Sequence, residues 1–283
     1  MTIRISQIMT DHFMSIDILE GVGAIRDIAF NQGINYFLVT NNHQIKGMIT
    51  SKELIDAHPN RIAADAMLTD FKFISSEATV WGAKEIFDQQ DQDFLLVEKN
   101  KQIVGIITKT LVLTELGKHI DLLTGLYKSD YIYYQIQKCM SKNEITSIIF
   151  MDVNNFGRID KEYGHILGDT ILKELARLLK QYKPKDAHIC RFGGDEFVLQ
   201  FSTPIEKCKN EIIKIIDMIK NHEFPNKIPV TISAGVIQSK KCTKIKNVYE
   251  ATVHLINQAS LASTTAKKNK CGLSIVYEES EIA

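Results

Sequence analysis

Arg191–Phe201 reads RFGGDEFVLQF: two glycines and two adjacent acids set between two runs of strand-forming residues. As a plain β-hairpin, Gly193 and Gly194 supply the positive φ angles of the turn, and Asp195 and Glu196 are simply solvated. As a site, the same turn lets backbone approach a ligand closely while two carboxylates wait at its tip. The flanking sequence has to decide between these readings.

Upstream, ITSIIFMDVNNF (Ile145–Phe156) reads as a buried strand by its continuous apolar run, with Asp152 near its C-terminal end. ILKELARLLKQY has helical spacing, the acidic hairpin follows, then the helix IEKCKNEIIKIIDMIKNH, the strand VTISAGVI, a last helix and the final strand LSIVY. Helices alternating with strands around one central hairpin predict an α/β sandwich, with helices covering a mixed sheet. Asp152 and the hairpin acids can then be neighbours. Clustered carboxylates raise one another's pKa unless a cation neutralises them, and Mg²⁺ takes such hard oxygen ligands together with substrate phosphates. VNNFGRID leads toward a glycine-containing loop whose backbone N–H groups can hold a phosphate. Strand-end acid, acidic hairpin and phosphate loop together point to metal-assisted phosphoryl or nucleotidyl transfer.

Four motifs in order now carry a resemblance: DLLTGL (Asp121–Leu126), DVNNFGRIDKEYGHILGD (Asp152–Asp169), RFGGDEF and TISAGV (Thr231–Val236). Residues 117–283 resemble a GGDEF domain, the diguanylate cyclase family. The resemblance implies a central mixed sheet similar to nucleotide cyclase and polymerase palm domains. It also implies a homodimer that joins two GTP molecules into cyclic di-GMP with release of pyrophosphate. It further assigns Asp152, Asp195 and the Val153 carbonyl to Mg²⁺ or Mn²⁺, and Glu196 to the metal or to the proton of the attacking 3′-hydroxyl. Gly194 lets the guanosine lie close to the turn, Asn155 and Phe156 offer N–H groups to phosphates, Asp160 and Asp169 read the guanine edge, and Lys267 binds phosphate.

Several positions depart from the family pattern. The base-reading residue, usually Asn, is Asp160, so an amide donor becomes an acceptor, which weakens a donor-dependent site by about 1–3 kcal/mol. The usual lysine of the phosphate loop is Gly157, and the arginine expected after Lys267 is Cys271, with Lys268 and Lys270 nearby. The family's NR after LTGL is Lys128 and Ser129. The inhibitory RxxD is absent, its aligned ends being Pro184 and Ala187, so product inhibition at that surface is not expected. An alternative therefore stands beside the cyclase: a degenerate GGDEF domain that binds nucleotide and signals without turnover. Among bland readings, His165 is a local hydrogen-bonding residue, Cys190 is core, and Arg191 is either a phosphate partner or an exposed strand arginine.

The first half of the chain is a duplication. QIMTDHF (Gln7–Phe13) aligns with DAMLTDF (Asp65–Phe71), and YFLVTNNHQIKGMITSKEL (Tyr36–Leu54) with FLLVEKNKQIVGIITKTLV (Phe94–Val112). The two copies lie 58 positions apart throughout, Met9 to Met67 and Gly47 to Gly105. Each copy reads as a short start, a helix, a strand, a polar turn at Asn42 or Asn100, a second strand and a closing helix. Pairing the copies buries both apolar faces in one pseudo-symmetric domain over residues 1–116. This repeat resembles the tandem cystathionine-β-synthase-type (CBS) pair, a sensor of adenosine-containing nucleotides in many members. The resemblance assigns a regulatory ligand to Thr50 and Glu53; the second copy has Thr108 and Leu111. A purely structural or dimerising module is the other reading.

Apolar residues at 111, 112, 113, 116, 120, 122 and 123 predict a helix that joins the two parts almost directly. The 283 residues suit two domains, 45% apolar and 24% charged residues suit a globular protein, and 34 basic against 34 acidic side chains favour neither nucleic acid nor a membrane surface as partner. Five cysteines with no CxxC spacing fit a reduced, cytoplasmic chain with partly buried thiols. Neither a signal core nor a membrane span is apparent.

Overall fold

The computed structural model describes residues 3–239 and 247–277, apart from the side chain of Cys208. The chain divides into two units, Met1–Lys118 and His119–Ala283.

In the first unit, one repeat comprises β1 (Met14–Asp17), α1 (Val22–Gln32), β2 (Tyr36–Asn41), β3 (Gln44–Thr50) and α2 (Ser51–Asp56). The short α3 (Ala63–Ala66) leads into the second, with β4 (Phe73–Ser75), α4 (Val80–Gln89), β5 (Phe94–Lys99), β6 (Gln102–Thr108) and α5 (Lys109–Gly117). Each repeat forms a three-stranded sheet whose first strand runs parallel to the second and whose last two form a hairpin. Asn42, His43, Asn100 and Lys101 take the positive φ angles of the two hairpin turns. β1 and β4 are an addition to the sequence reading: MSID and FIS are too short to show an alternation.

The repeats exchange their starts. Thr10 pairs with Ile106 of β6, and Leu68 pairs with Met48 of β3. A Cβ on Gly105 would lie 2.7 Å from the Met9 sulfur, and one on Gly47 2.7 Å from the Met67 sulfur. This accounts for the Met and Gly pairs that reveal the duplication, since each methionine rests on the other repeat's glycine. Leu38, Met48, Phe94, Leu96 and Ile106 form the shared core.

In the second unit the elements are α6 (Ser129–Ser141), β7 (Ser147–Val153), α7 (Phe156–Tyr163), α8 (His165–Tyr182), β8 (His188–Gly193), β9 (Glu196–Phe201), α9 (Ile205–Asn221), β10 (Ile232–Gln238), α10 (Val248–Lys268) and β11 (Leu273–Val276). The sheet order is β11-β10-β7-β9-β8, antiparallel except for the β10–β11 pair. Alternation along β7 sends Ile149, Met151 and Val153 into the core beneath α8 and α9, while Ile148 and Phe150 pack with Ile132 and Ile136 of α6 and Leu255 and Ile256 of α10. Both faces being covered is why β7 is apolar at every position from Ile148 to Met151.

Two expectations need correction. The helix entering this unit ends at Gly117 instead of running to residue 123. Asp121 accepts hydrogen bonds from the Thr124 backbone N–H (2.9 Å) and hydroxyl (2.6 Å), Gly125 adopts φ 62°, and Leu122 is left 94% exposed. The local turn overrides an apolar spacing that merely looks helical. Likewise Gly157 is not in a loop: it sits in the first turn of α7, which begins directly after Asn155.

Candidate active site

The site is built at one end of the central strands. Asp152 lies directly opposite Glu196 across the β7–β9 pair, so both side chains leave the same face of the sheet, the one covered by α6 and α10. Asp195 sits at the hairpin tip, where its carbonyl accepts the Val153 N–H at 3.3 Å. Burial, and then the charge of Asp152, push the Asp195 carboxyl above its ordinary range. Burial followed by the charges of Asp152 and Asp195 does the same to Glu196.

Lys267 is the local counter-charge. Its ammonium pairs with the Asp152 carboxylate and lies 3.4 Å from the Val153 carbonyl. Gly235 explains how a residue on α10 reaches β7. A Cβ there would fall 2.0 Å from the Ala259 carbonyl oxygen and 2.3 Å from the Ser263 nitrogen, so only glycine lets α10 rest directly on β10. The Ser263 hydroxyl completes the contact by donating to the Ser233 carbonyl at 3.0 Å.

The expected trio of acids is not a ready-made cage. Among the described residues no three His, Cys, Asp or Glu side chains stand grouped to hold a metal ion. Like charges repel, and the Asp152 carboxylate is engaged by Lys267. The donor set nonetheless fits a hard divalent cation, because Asp152 and the Val153 carbonyl already share one positive charge between them.

Beyond β7 the chain turns through Asn155, at φ 56°, into α7. Asn154 fixes this turn by donating to the Thr231 hydroxyl (2.9 Å) and accepting from the Ser233 hydroxyl (2.8 Å). Asn155 and Phe156 therefore stand at a helix start, where N–H groups lack intrahelical partners. The space around Gly157 is open, and so is that around Gly194, which has φ 43°. Asp160 is held by His165, 2.9 Å from carboxylate to Nδ1. Its other oxygen is buried without a partner against Gly168, where a Cβ would meet it at 1.9 Å. Asp169 is exposed on α8. Cys271 is exposed as well, and its thiol faces the Leu273 carbonyl at 3.2 Å.

Arg191 is not an exposed strand arginine. Its guanidinium binds both Asp121 oxygens, at 3.0 and 3.1 Å, and the Gly194 carbonyl at 2.8 Å, with only 14% of the side chain exposed. Burial alone would raise the Asp121 carboxyl, but hydrogen bonds from Thr124 and Arg191 hold it below the usual range. The clamp ties the DLLTG turn to the glycine turn. Asn154, Gly235 and this clamp are positioning residues that the sequence reading did not single out; TISAGV and DLLTGL were visible as motifs without a reason for their residues.

Thr50 and Glu53, in the first unit, are joined to each other. Glu53 accepts the Thr50 N–H at 3.0 Å and contacts its hydroxyl, forming the cap of α2. Cys139 and Cys190 are buried free thiols, Cys190 fully so; Cys242 and the Cys208 side chain lie outside the described residues.

The second unit is thus an α/β domain with two strand-end acids on one face of its sheet and an acidic glycine turn at the rim. Residues 118–271 match the family described as "Diguanylate cyclase, GGDEF domain", and residues 5–60 and 63–118 each match the CBS domain. The chain belongs to the GGDEF family and carries two CBS domains ahead of that domain. It is 26% identical over 152 residues to the diguanylate cyclase DgcS of Shewanella oneidensis, covering 52% of this chain and 51% of that protein. It is 25% identical over 148 residues to the diguanylate cyclase DgcZ of Escherichia coli, covering 47% and 49%. The chain thus spans about half the length of these relatives. The fold is shared with the coiled coil and GGDEF domain of DgcB from Caulobacter crescentus, solved with c-di-GMP, at TM-score 0.53 and 14% identity over 59% of this chain and 91% of that one. It is also shared with the diguanylate cyclase SiaD of Pseudomonas aeruginosa, solved with its activator SiaC, at TM-score 0.52 and 20% identity over 70% of each chain.

Proposed function

We propose that this chain is a diguanylate cyclase, acting as a homodimer in which each protomer presents one GTP. The observation that carries the reading is the juxtaposition of Asp152 and Glu196 across two strands, with Asp195 at the adjoining tip and Lys267 compensating Asp152. Two carboxyls held above their ordinary pKa beside a third acid are groups waiting for a cation. Asp152, Asp195 and the Val153 carbonyl would hold Mg²⁺ or Mn²⁺, which when bound polarises the α-phosphate and neutralises charge that develops on it.

The chain's own residues supply the rest. Glu196 accepts the proton of a 3′-hydroxyl as that oxygen bonds to the α-phosphorus of the opposite GTP; the bond to pyrophosphate breaks, and a second such step closes the ring. Asn155 and Phe156 direct N–H groups at the phosphates, Lys267 adds its charge, and Gly194 admits the nucleoside. Asp160, once released from His165, and Asp169 would read the base.

One observation favours a second reading, a nucleotide-binding module without turnover. Asp160 offers no amide donor, and one of its oxygens is held by His165. We read the N-terminal pair as regulatory. An adenosine-containing ligand at Thr50 and Glu53 would have to open the α2 cap. A cytoplasmic location is consistent with the buried free thiols of Cys139 and Cys190, and among the described residues no helix is long and apolar enough to cross a membrane.

The test is to measure GTP binding and cyclic di-GMP formation side by side for the wild type and Glu196→Gln. The cyclase reading expects turnover in the wild type and a fall of about 100-fold or more in the variant, with GTP still bound. Binding without product in the wild type would favour the module.

A further inference from the structure

The first unit contains a cleft of about 740 Å³ whose lining repeats across the duplication. Phe13 and Phe71, Gln44 and Gln102, and Ile45 and Ile103 are pairs 58 positions apart, so the cleft lies on the pseudo-two-fold axis of the repeats. It opens beside the β2–β3 and β5–β6 hairpin turns, at the opposite end of those strands from Thr50 and Glu53, neither of which lines it. Its floor is the shared core, on which both phenylalanines pack. Its rim carries His43 and Lys101, equivalent positions of the two turns, each exposed. The symmetry is broken where Ser15, Thr40 and His43 of the first repeat correspond to Phe73, Glu98 and Lys101 of the second, and Glu98 is the one carboxylate in the lining. The Thr40 hydroxyl is already committed to the Ile16 carbonyl at 3.1 Å.

We propose that this cleft binds one cyclic guanine dinucleotide, the product of the reaction above; the identity of that ligand rests on the cyclase reading. A cleft with paired aromatic rings, paired amides and a basic group on each side of a two-fold axis matches a molecule with the same symmetry: two bases to stack, two base edges to bond and two phosphodiester charges to meet. Its volume is in the range of ordinary small-molecule sites. Phe13 and Phe71 stack on the bases, with Phe73 set edge-on to Phe71 at 5.6 Å. His43 and Lys101 face the two phosphates. Glu98 accepts the paired N1–H and N2–H donors of one guanine, an arrangement adenine cannot offer. Product sensing in this unit would replace the RxxD surface that the chain lacks.

The experiment is calorimetric titration of the full-length Glu196→Gln protein, whose turnover is expected to be about 100-fold lower, with cyclic di-GMP and, separately, cyclic di-AMP. Lys101→Glu and Phe71→Ala are made in the same background. We expect one cyclic di-GMP per chain, weaker by about tenfold or more in each variant, and cyclic di-AMP weaker by a similar factor. Lys101 is on an exposed turn, so its variant folds even if Phe71→Ala does not. No binding, affinity unchanged by Lys101→Glu, or equal affinity for both dinucleotides would overturn the inference. The ligand is supplied directly, so a failure of cyclase activity leaves this result standing, and product formation without binding overturns only this proposal.

Discussion

Lys267 and Glu196 set the chemistry at the scale of single residues. Glu196 is held above its ordinary value of 4.5 by burial and two neighbouring acids, so the native state keeps a proton that the unfolded chain has released. That contribution to stability is present below the ordinary carboxyl range and is lost as pH rises through the raised native value. Glu196→Gln should therefore be more stable than the wild type without metal, by a margin that grows from about pH 4 toward neutrality; urea denaturation across that range measures it. Asp160→Asn restores an amide at the base-reading position. If that amide donates to guanine, GTP affinity should rise by about 1–3 kcal/mol, read by titration with GTP. Unchanged affinity would mean that the His165 bond, and not the missing donor, sets how Asp160 behaves. The acids themselves were legible from sequence because two adjacent carboxylates after two glycines have few structural uses. Lys267 was singled out only as a phosphate binder; its pairing with Asp152, 115 residues away, was not legible.

At the scale of elements, the site depends on two close approaches. Gly235→Ala would put a methyl group inside the backbone of α10, so the helix must lift from β10 and carry Lys267 with it. A destabilisation of about 2 kcal/mol or more is expected, with GTP affinity falling as well; thermal unfolding and titration check both. Asp121→Ala would release Arg191 and leave the Gly194 turn unanchored, a cost of about 1–3 kcal/mol. Turnover should fall more than GTP affinity, whereas equal losses would mean a general collapse of the fold. The strand and helix order of the second unit followed from periodicity. Two places did not: the turn at Asp121 interrupts a helical-looking run, and α7 begins where a loop was expected. In each, side-chain hydrogen bonds or an unusual φ at one residue decided against the pattern, and such effects are invisible to spacing.

At the scale of the whole molecule, duplication was the clearest signal, because the structure satisfies it residue by residue: Met9 on Gly105, Met67 on Gly47 and each start paired with the other repeat's second strand. A dimeric reaction with one GTP per protomer should give a specific activity that rises with protein concentration until the dimer is saturated, which a dilution series would follow. The full-length protein is incubated with Mg²⁺ and equimolar GTP and ATP, and the products are identified by mass spectrometry. Cyclic di-GMP with two pyrophosphates released per molecule is expected; an adenine-containing cyclic product, or GTP bound with no cyclic product at all, would overturn the cyclase reading.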